Sequence, residues 1–263
     1  MRVLVATAVP AERDAVARAF PGAARREVPC GGGSGDGSSG GDQGAGAGIV
    51  LHRIAGASSG RTSPGTSYDL LAAGVGPARA AAATATALTA AALGGAPYDL
   101  VVCAGIGGGF PPDAPVGSLV VADEITVADL GAETADGFVP VTDLGFGTVT
   151  HRPPDSLVRD LAGVMGARVG AVLTVSTVTG TAARAAALRA RHPNALAEGM
   201  EGFGIAEAAA AHGVPVAEIR AVSNPVGPRD RAAWRIGDAL TALTAAFGKL
   251  TPVVESWNNH EQP

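Results

Sequence analysis

The chain has 263 residues, a formal net charge of −5 and a pI near 5.5, a balance that offers no basic field to gather phosphates. Aromatic residues make up only 4%, too few for base-stacking platforms, so nucleic acid is not an expected partner. Hydrophobic residues reach 47%, but no run approaches the roughly 20 apolar residues that span a bilayer, which points to a soluble protein with no membrane partner.

The run Val3–Ala6 is too short for the core of a signal peptide and leads into Pro10, Glu12, Arg13 and Asp14, so it reads as the first strand of a cytoplasmic protein. A helix is expected over Ala11–Phe20. From about 30 to 48 the chain is almost entirely Gly, Ser, Ala and Asp, and a second polar stretch runs from about 56 to 67. Both hold too few apolar side chains to offset the entropy of ordering, and both read as flexible loops flanking a strand at Ile49–Ile54. A ligand lid is one reading of the glycine-rich segment, and a tolerated surface insertion is the favoured one.

Further strands are expected at Leu70–Ala73, Leu100–Ala104, Leu119–Val127, Ala171–Ser176 and Val216–Val222. Between and after them lie helical runs at Pro77–Leu93, Ser156–Val164, Ala182–Ala190, Glu201–Ala211 and Arg231–Phe247. Pro77 suits a first helical turn, Asp155 is a candidate N-cap, and Gly213 is a candidate left-handed terminator. This alternation predicts one α/β domain over residues 1–250, built on a largely parallel sheet covered by helices. Residues 251–263 read as a C-terminal tail, frayed from Trp257.

Cys30 reads as an exposed thiol and Cys103 as a buried small hydrophobe. Neither neighbours a second thiol, and the five histidines form no ligand-spaced pair, so no metal site is indicated. Two glycine clusters follow apolar strands, Gly74-Val75-Gly76-Pro77 and Gly105-Ile106-Gly107-Gly108-Gly109. In an open α/β sheet the carboxyl ends of strands line the ligand crevice. The first cluster reads Gly-x-Gly-x-x-Arg, without the third glycine of a dinucleotide fingerprint. The second runs into Phe110-Pro111-Pro112, which cannot begin a helix, so no helix dipole meets a pyrophosphate there. Loops packed against a small ligand and plain tight turns both remain open.

Taken in order, Val3–Glu12, Leu71–Gly76, Asp99–Gly109, Val116–Glu124, Val175-Ser176, Gly199-Met200-Glu201 and Arg220-Ala221-Val222-Ser223-Asn224 resemble the nucleoside phosphorylase and nucleosidase superfamily. Within it they are most similar to the 5′-methylthioadenosine/S-adenosylhomocysteine nucleosidases. The resemblance implies a single-domain three-layer α/β/α fold with a central mixed, largely parallel sheet. It also implies a small-molecule nucleoside substrate, no cofactor, and a homo-oligomer, dimer or tetramer.

Cleavage of an N-glycosidic bond passes through a ribosyl cation, so the site must stabilise positive charge on the sugar, present a water and help the base leave. By resemblance, Glu201 holds the ribose hydroxyls through bonds that strengthen as the sugar becomes cationic, and Met200 packs on the ribose. Glu12 by resemblance binds the attacking water and takes its proton. Read without the resemblance, both acids are ordinary first-turn helix residues.

Asn224 stands where the adenosine-type nucleosidases have an aspartate. A carboxamide donates to a 6-oxo group while its oxygen accepts from the neighbouring ring N–H, which matches a hypoxanthine-type base. The plainer reading is a strand-end turn. Val178 and Thr179 fall where the family flanks the base, and Gly74, Gly107, Gly108 and Ser223 complete the expected substrate contacts. Ile106 replaces a hydroxyl-bearing family residue and offers phosphate nothing, which favours hydrolysis, although Arg53 and Arg79 remain candidate phosphate ligands.

The implied activity is water-dependent release of hypoxanthine from a nucleoside whose large 5′ substituent ends in a carboxylate. Arg229, Arg231 and Arg235 are the candidates to meet that terminus. A 6-oxopurine nucleoside phosphorylase and a non-catalytic nucleoside-binding module are the alternatives.

Overall fold

The computed structural model describes residues 1–30, 48–54 and 65–261, the last four by backbone alone. The expected glycine-rich insertion, but for its two end residues, and most of the expected polar loop lie outside the described residues.

β1 (Arg2–Thr7) leads into α1 (Pro10–Arg18), followed by β2 (Arg25–Cys30), β3 (Ile49–Ile54) and β4 (Ser67–Ala72). α2 (Pro77–Leu93) precedes the long strands β5 (Leu100–Gly109) and β6 (Leu119–Val127). A hairpin of β7 (Gly131–Thr134) and β8 (Gly137–Pro140) and the short β9 (Thr150–His151) come next. α3 (Asp155–Met165), β10 (Arg168–Thr174), α4 (Ala182–Arg191), β11 (Ala195–Gly199) and α5 (Gly202–Ala211) then alternate up to β12 (Val216–Pro225). A 3-10 turn at Arg231–Ala233 precedes α6 (Ile236–Phe247) and α7 (Leu250–Glu261).

The main sheet runs β11-β10-β6-β12-β5-β1-β4-β3-β2, with β9 added beside β6. Its centre is parallel, through β4–β1, β1–β5, β5–β12, β6–β10 and β10–β11, while β12–β6 and the β2–β3–β4 flank are antiparallel. Side chains alternate across the strands. Val3 and Val5 join α1, α3, α6 and α7 in one core layer, whereas Leu4 and Ala6 join α2 and α5 in the other. With both faces covered, strands read as unbroken apolar runs, which is why they were legible.

Three expectations need correction. Gly105–Gly109 is not a turn: it is the carboxyl half of β5, which pairs with β12 on one side and antiparallel with β11 on the other, at Gly109↔Ala197 and Gly108↔Glu198. This second pairing closes β5, β12, β6, β10 and β11 into a ring. Glycine permits it, because a Cβ on Gly107 would stand 2.7 Å from the Glu198 carbonyl oxygen.

The expected tail is instead the packed helix α7, whose Val253, Val254 and Trp257 are buried with α3 and whose Trp257 Nε1–H donates to Ser156 Oγ at 3.0 Å. The expected helix over 231–247 begins only at Ile236, since the Asp230 carboxylate accepts from Ala232 N–H and holds a separate turn. Smaller departures are Asp155, which is the first helical residue after Pro154 rather than the cap, and Cys30, which is buried. Pro77 opens α2, and Gly213 follows α5 with φ +66°, as expected. No helix among the described residues is long and apolar enough to cross a membrane.

Candidate active site

A cleft of about 340 Å³ opens where the carboxyl ends of β1, β5, β11 and β12 meet, as expected for this sheet. It brings together Glu12, Ile106, Gly107, Gly108, Val178, Thr179, Met200, Glu201, Ser223 and Asn224. Gly74 is not among the lining residues, although its neighbour Val75 is. Gly74 has φ +97°, donates its N–H to the Ala8 carbonyl at 3.0 Å, and lies beneath the Arg79 side chain, where a Cβ would collide. Its role is to turn the chain.

Glu12 is the third residue of α1, and its carboxylate reaches back over the helix start. Oε2 accepts from Ala8 N–H at 2.9 Å and Val9 N–H at 3.3 Å, while Oε1 accepts from Ile106 N–H at 2.9 Å. Three backbone donors therefore fix the group between β1 and β5. Burial raises its carboxyl above the ordinary value, the Arg220 guanidinium and the Ile106 N–H oppose that rise, and the Glu201 carboxylate adds to it.

Glu201 sits at the entrance of α5. Its Oε1 accepts from Gly76 N–H at 3.3 Å, and its Oε2 from Met200 N–H at 3.3 Å and from Arg220 Nη1 and Nη2 at 3.3 and 3.4 Å. Arg220 is 1% exposed and also donates from Nη1 to the Ile106 carbonyl at 3.2 Å and from Nε to Glu218 Oε1 at 2.8 Å. The guanidinium thus forms the wall behind both acids.

Asn224 owes its aim to a bulge. β12 pairs Val222 with Gly107 and Asn224 with Gly108, so Ser223 is the extra residue. Neighbours on a regular strand point to opposite faces. Here both Ser223 and Asn224 line the cleft. Ser223 Oγ donates to Asn224 Oδ1 at 2.9 Å, and Asn224 Nδ2 donates to the Pro225 carbonyl at 3.1 Å. Across Gly108 lies Glu198, whose carboxylate accepts from Thr179 N–H at 2.9 Å and from the Thr179 hydroxyl. Burial raises Glu198 as well, against the two bonds from Thr179.

Trp234 also lines the cleft, with the Arg229 guanidinium 5.5 Å and the Arg231 guanidinium 5.9 Å from its ring centre. Of the three arginines proposed from sequence, only Arg229 lines the cleft among the described residues. No group of three or more His, Cys, Asp or Glu able to hold a metal occurs among the described residues.

The family model of the phosphorylase superfamily matches residues 49–253. Over 262 residues the chain is 69% identical to the futalosine hydrolase of Streptomyces coelicolor, covering 100% of each. The chain belongs to the phosphorylase superfamily, and within it to the futalosine hydrolase family. It is also 48% identical over 158 residues to the futalosine hydrolase of Acidothermus cellulolyticus, covering 58% of this chain and 64% of that one. Among solved structures, a mutant of the futalosine hydrolase of Helicobacter pylori superposes with TM-score 0.73 over 97% of this chain and 99% of its own. At 17% identity that likeness speaks for the fold.

Within this futalosine hydrolase family member, sequence reasoning missed Arg220, Glu218, Glu198 and Trp234. A signal for the first two was present: Glu218 and Arg220 stand two apart in a run, Val216–Val222, that is otherwise apolar, so alternation puts two charges on one buried face. Glu198 likewise interrupts the small apolar run of β11.

Proposed function

We propose that the chain hydrolyses the N-glycosidic bond of futalosine to hypoxanthine and dehypoxanthine futalosine, a step of menaquinone biosynthesis. The observation that carries this reading is one cleft lined by the buried carboxyls of Glu12 and Glu201 together with the carboxamide of Asn224, in a chain 69% identical to a futalosine hydrolase.

Glu12 is the general base. Its raised carboxyl lies nearer neutrality than an ordinary glutamate, where a base is most effective, and its three backbone donors keep it in place. The water's proton passes to Glu12, its oxygen bonds to the anomeric carbon, and the electron pair of the C–N bond leaves with the purine as an anion, which takes a proton from solvent to become hypoxanthine. Glu201 holds the ribose hydroxyls and stabilises the developing cation, with Met200 against the sugar. An amide nitrogen carries two N–H groups. One from Asn224 goes to Pro225, and the other serves the 6-oxo oxygen of hypoxanthine.

Arg229 meets the distal carboxylate of the 5′ substituent, because its side chain is the guanidinium that lines the cleft among the described residues. Water rather than phosphate is the acceptor: Arg53 is engaged by Asp69 at 2.8 and 2.9 Å, Arg79 folds over Gly74, and Ile106 supplies an apolar wall. The reading includes a cytoplasmic homo-oligomer, dimer or tetramer, whose mass light scattering measures.

The test is incubation with futalosine, aminodeoxyfutalosine, inosine and methylthioadenosine, with and without phosphate, following free base. Hypoxanthine released from futalosine independently of phosphate is the expected result. Faster consumption of methylthioadenosine overturns the role of Asn224. A phosphate requirement identifies a phosphorylase, and unchanged futalosine identifies a binding module.

A further inference from the structure

Glu218, which is fully buried and not among the residues lining the cleft, is an ionisable group that the reaction above does not use. It stands on β12, on the same face as Arg220 two residues later. Its Oε1 accepts from Arg220 Nε at 2.8 Å and from the Cys103 thiol at 3.8 Å, and Arg220 Nη2 donates back to Cys103 Sγ at 3.4 Å. Its Oε2 has no hydrogen-bond partner among the described residues.

The surroundings are shaped around this group. A Cβ on Gly202 would fall on the Glu218 carboxylate. One on Gly199 would stand 2.8 Å from the Arg220 guanidinium carbon, and one on Gly105 would stand 2.8 Å from both Arg220 Nη1 and Glu12 Oε1. Three glycines on three elements thus make room for one guanidinium and the acids around it.

A buried acid with an oxygen left unpaired is a poor device for stability, since apolar residues of similar volume generally do as well or better. What the acid does have is the Nε edge of Arg220. A guanidinium is a rigid planar fork, so fixing its Nε edge fixes where both Nη groups point. Those Nη groups face Glu201 and Glu12.

We propose that Glu218 is a positioning residue that orients Arg220 and, by drawing on its single positive charge, governs how readily Glu12 accepts the water's proton. The inference rests on Glu12 being the base. The charged and titratable groups facing this centre are Glu218 and Arg220 from β12, Cys103 from β5, Glu201 from the start of α5 and Glu12 from α1. Burial raises Glu218 too, against the guanidinium, so the acids compete for one cation.

The sign follows from that competition. Removing the charge of Glu218 frees Arg220 to stabilise ionised Glu12, so Glu12 loses its proton at lower pH and the acid limb of kcat/KM moves down. The experiment measures kcat/KM for futalosine against pH in the native protein, in Glu218→Gln and in Glu218→Ala. Glu218→Gln keeps an acceptor for Arg220 Nε, so its plateau stays within about tenfold of native, while below the native limb it retains roughly threefold or more of the relative activity. Glu218→Ala releases the guanidinium and loses roughly 100-fold at the plateau.

Should either variant fail to fold, as judged by its thermal melt, Cys103→Ala removes the thiol donor to Glu218 and shifts the limb the same way by less. An acid limb that stays in place in every folded variant overturns the proposal, whether activity falls uniformly or not at all. A native protein that releases no hypoxanthine instead overturns the reading on which the proposal rests.

Discussion

Two clusters of buried charge occupy the same sheet, and they are balanced in opposite ways. Around Asp69 one acid is served by many donors: Arg53 bonds both oxygens at 2.8 and 2.9 Å, Arg2 Nη2 lies at 2.9 Å and the Tyr98 hydroxyl at 2.6 Å. Burial pushes this carboxyl up, but the bonds from Arg53 and Tyr98 and the charge of Arg2 outweigh it, and it sits below its ordinary value. Around Arg220 one guanidinium serves Glu201 and Glu218 directly and Glu12 through its field. There burial leaves Glu12 and Glu218 above their ordinary values. A surplus of donors locks a charge, and a surplus of acids leaves a proton to be exchanged. The second condition is what a general base requires, and it is found at the cleft.

Breaking the acid-rich side has the largest effect. Glu12→Gln keeps the shape of the side chain but cannot take a proton, and its amide nitrogen meets at least one of the backbone N–H groups that the carboxylate accepts, so kcat is expected to fall about 10³-fold with a modest loss of melting temperature. In the native protein kcat/KM should fall as pH drops through a value above that of an ordinary glutamate, because the proposed base is ionised Glu12 and its carboxyl is raised. A limb at or below the ordinary value would contradict the assignment.

Breaking the donor-rich side should cost stability and leave the chemistry alone. Asp69→Asn strands two guanidinium groups and a phenol and is expected to cost about 3 kcal/mol in denaturant unfolding, with an unchanged acid limb for the folded fraction. The folded carboxyl lies below its unfolded value, so its contribution is complete above the unfolded pKa and is lost as pH falls through the folded one.

The remaining two changes sharpen the reading of the substrate. Asn224→Asp restores the acid of the adenosine-type nucleosidases and should shift kcat/KM from futalosine toward methylthioadenosine by about 100-fold. Arg229→Gln should raise KM for futalosine about tenfold and leave inosine, which lacks the distal carboxylate, unaffected. Equal losses on both substrates would remove Arg229 from the binding role.

The fold was legible where both faces of a strand are buried, as in Val3–Ala6, Leu119–Val127 and Val216–Val222. It was hidden where composition and conformation disagree. β11 is Ala-Leu-Ala-Glu-Gly, without a β-branched residue, and the carboxyl half of β5 is mostly glycine, which strand propensity disfavours. α7, where a tail was expected, carries Pro252 in its first turn, where the missing N–H costs nothing. At the site, the residues that touch the cleft came largely from ordered resemblance. Arg220 and Glu218 act from behind it, and only their alternation in an apolar strand marks them.

The bulge at Ser223 has a consequence for redesign. A strand has a period of two, so the inserted residue inverts the phase of everything after it and turns the carboxamide toward the cleft. On the proposed role of Asn224, recognition of the base is therefore written partly in backbone length. Exchanging the side chain at 224 edits the message, whereas deleting residue 223 would erase the position from which it is delivered. A graft of this specificity onto a related scaffold has to carry the extra residue along with the asparagine.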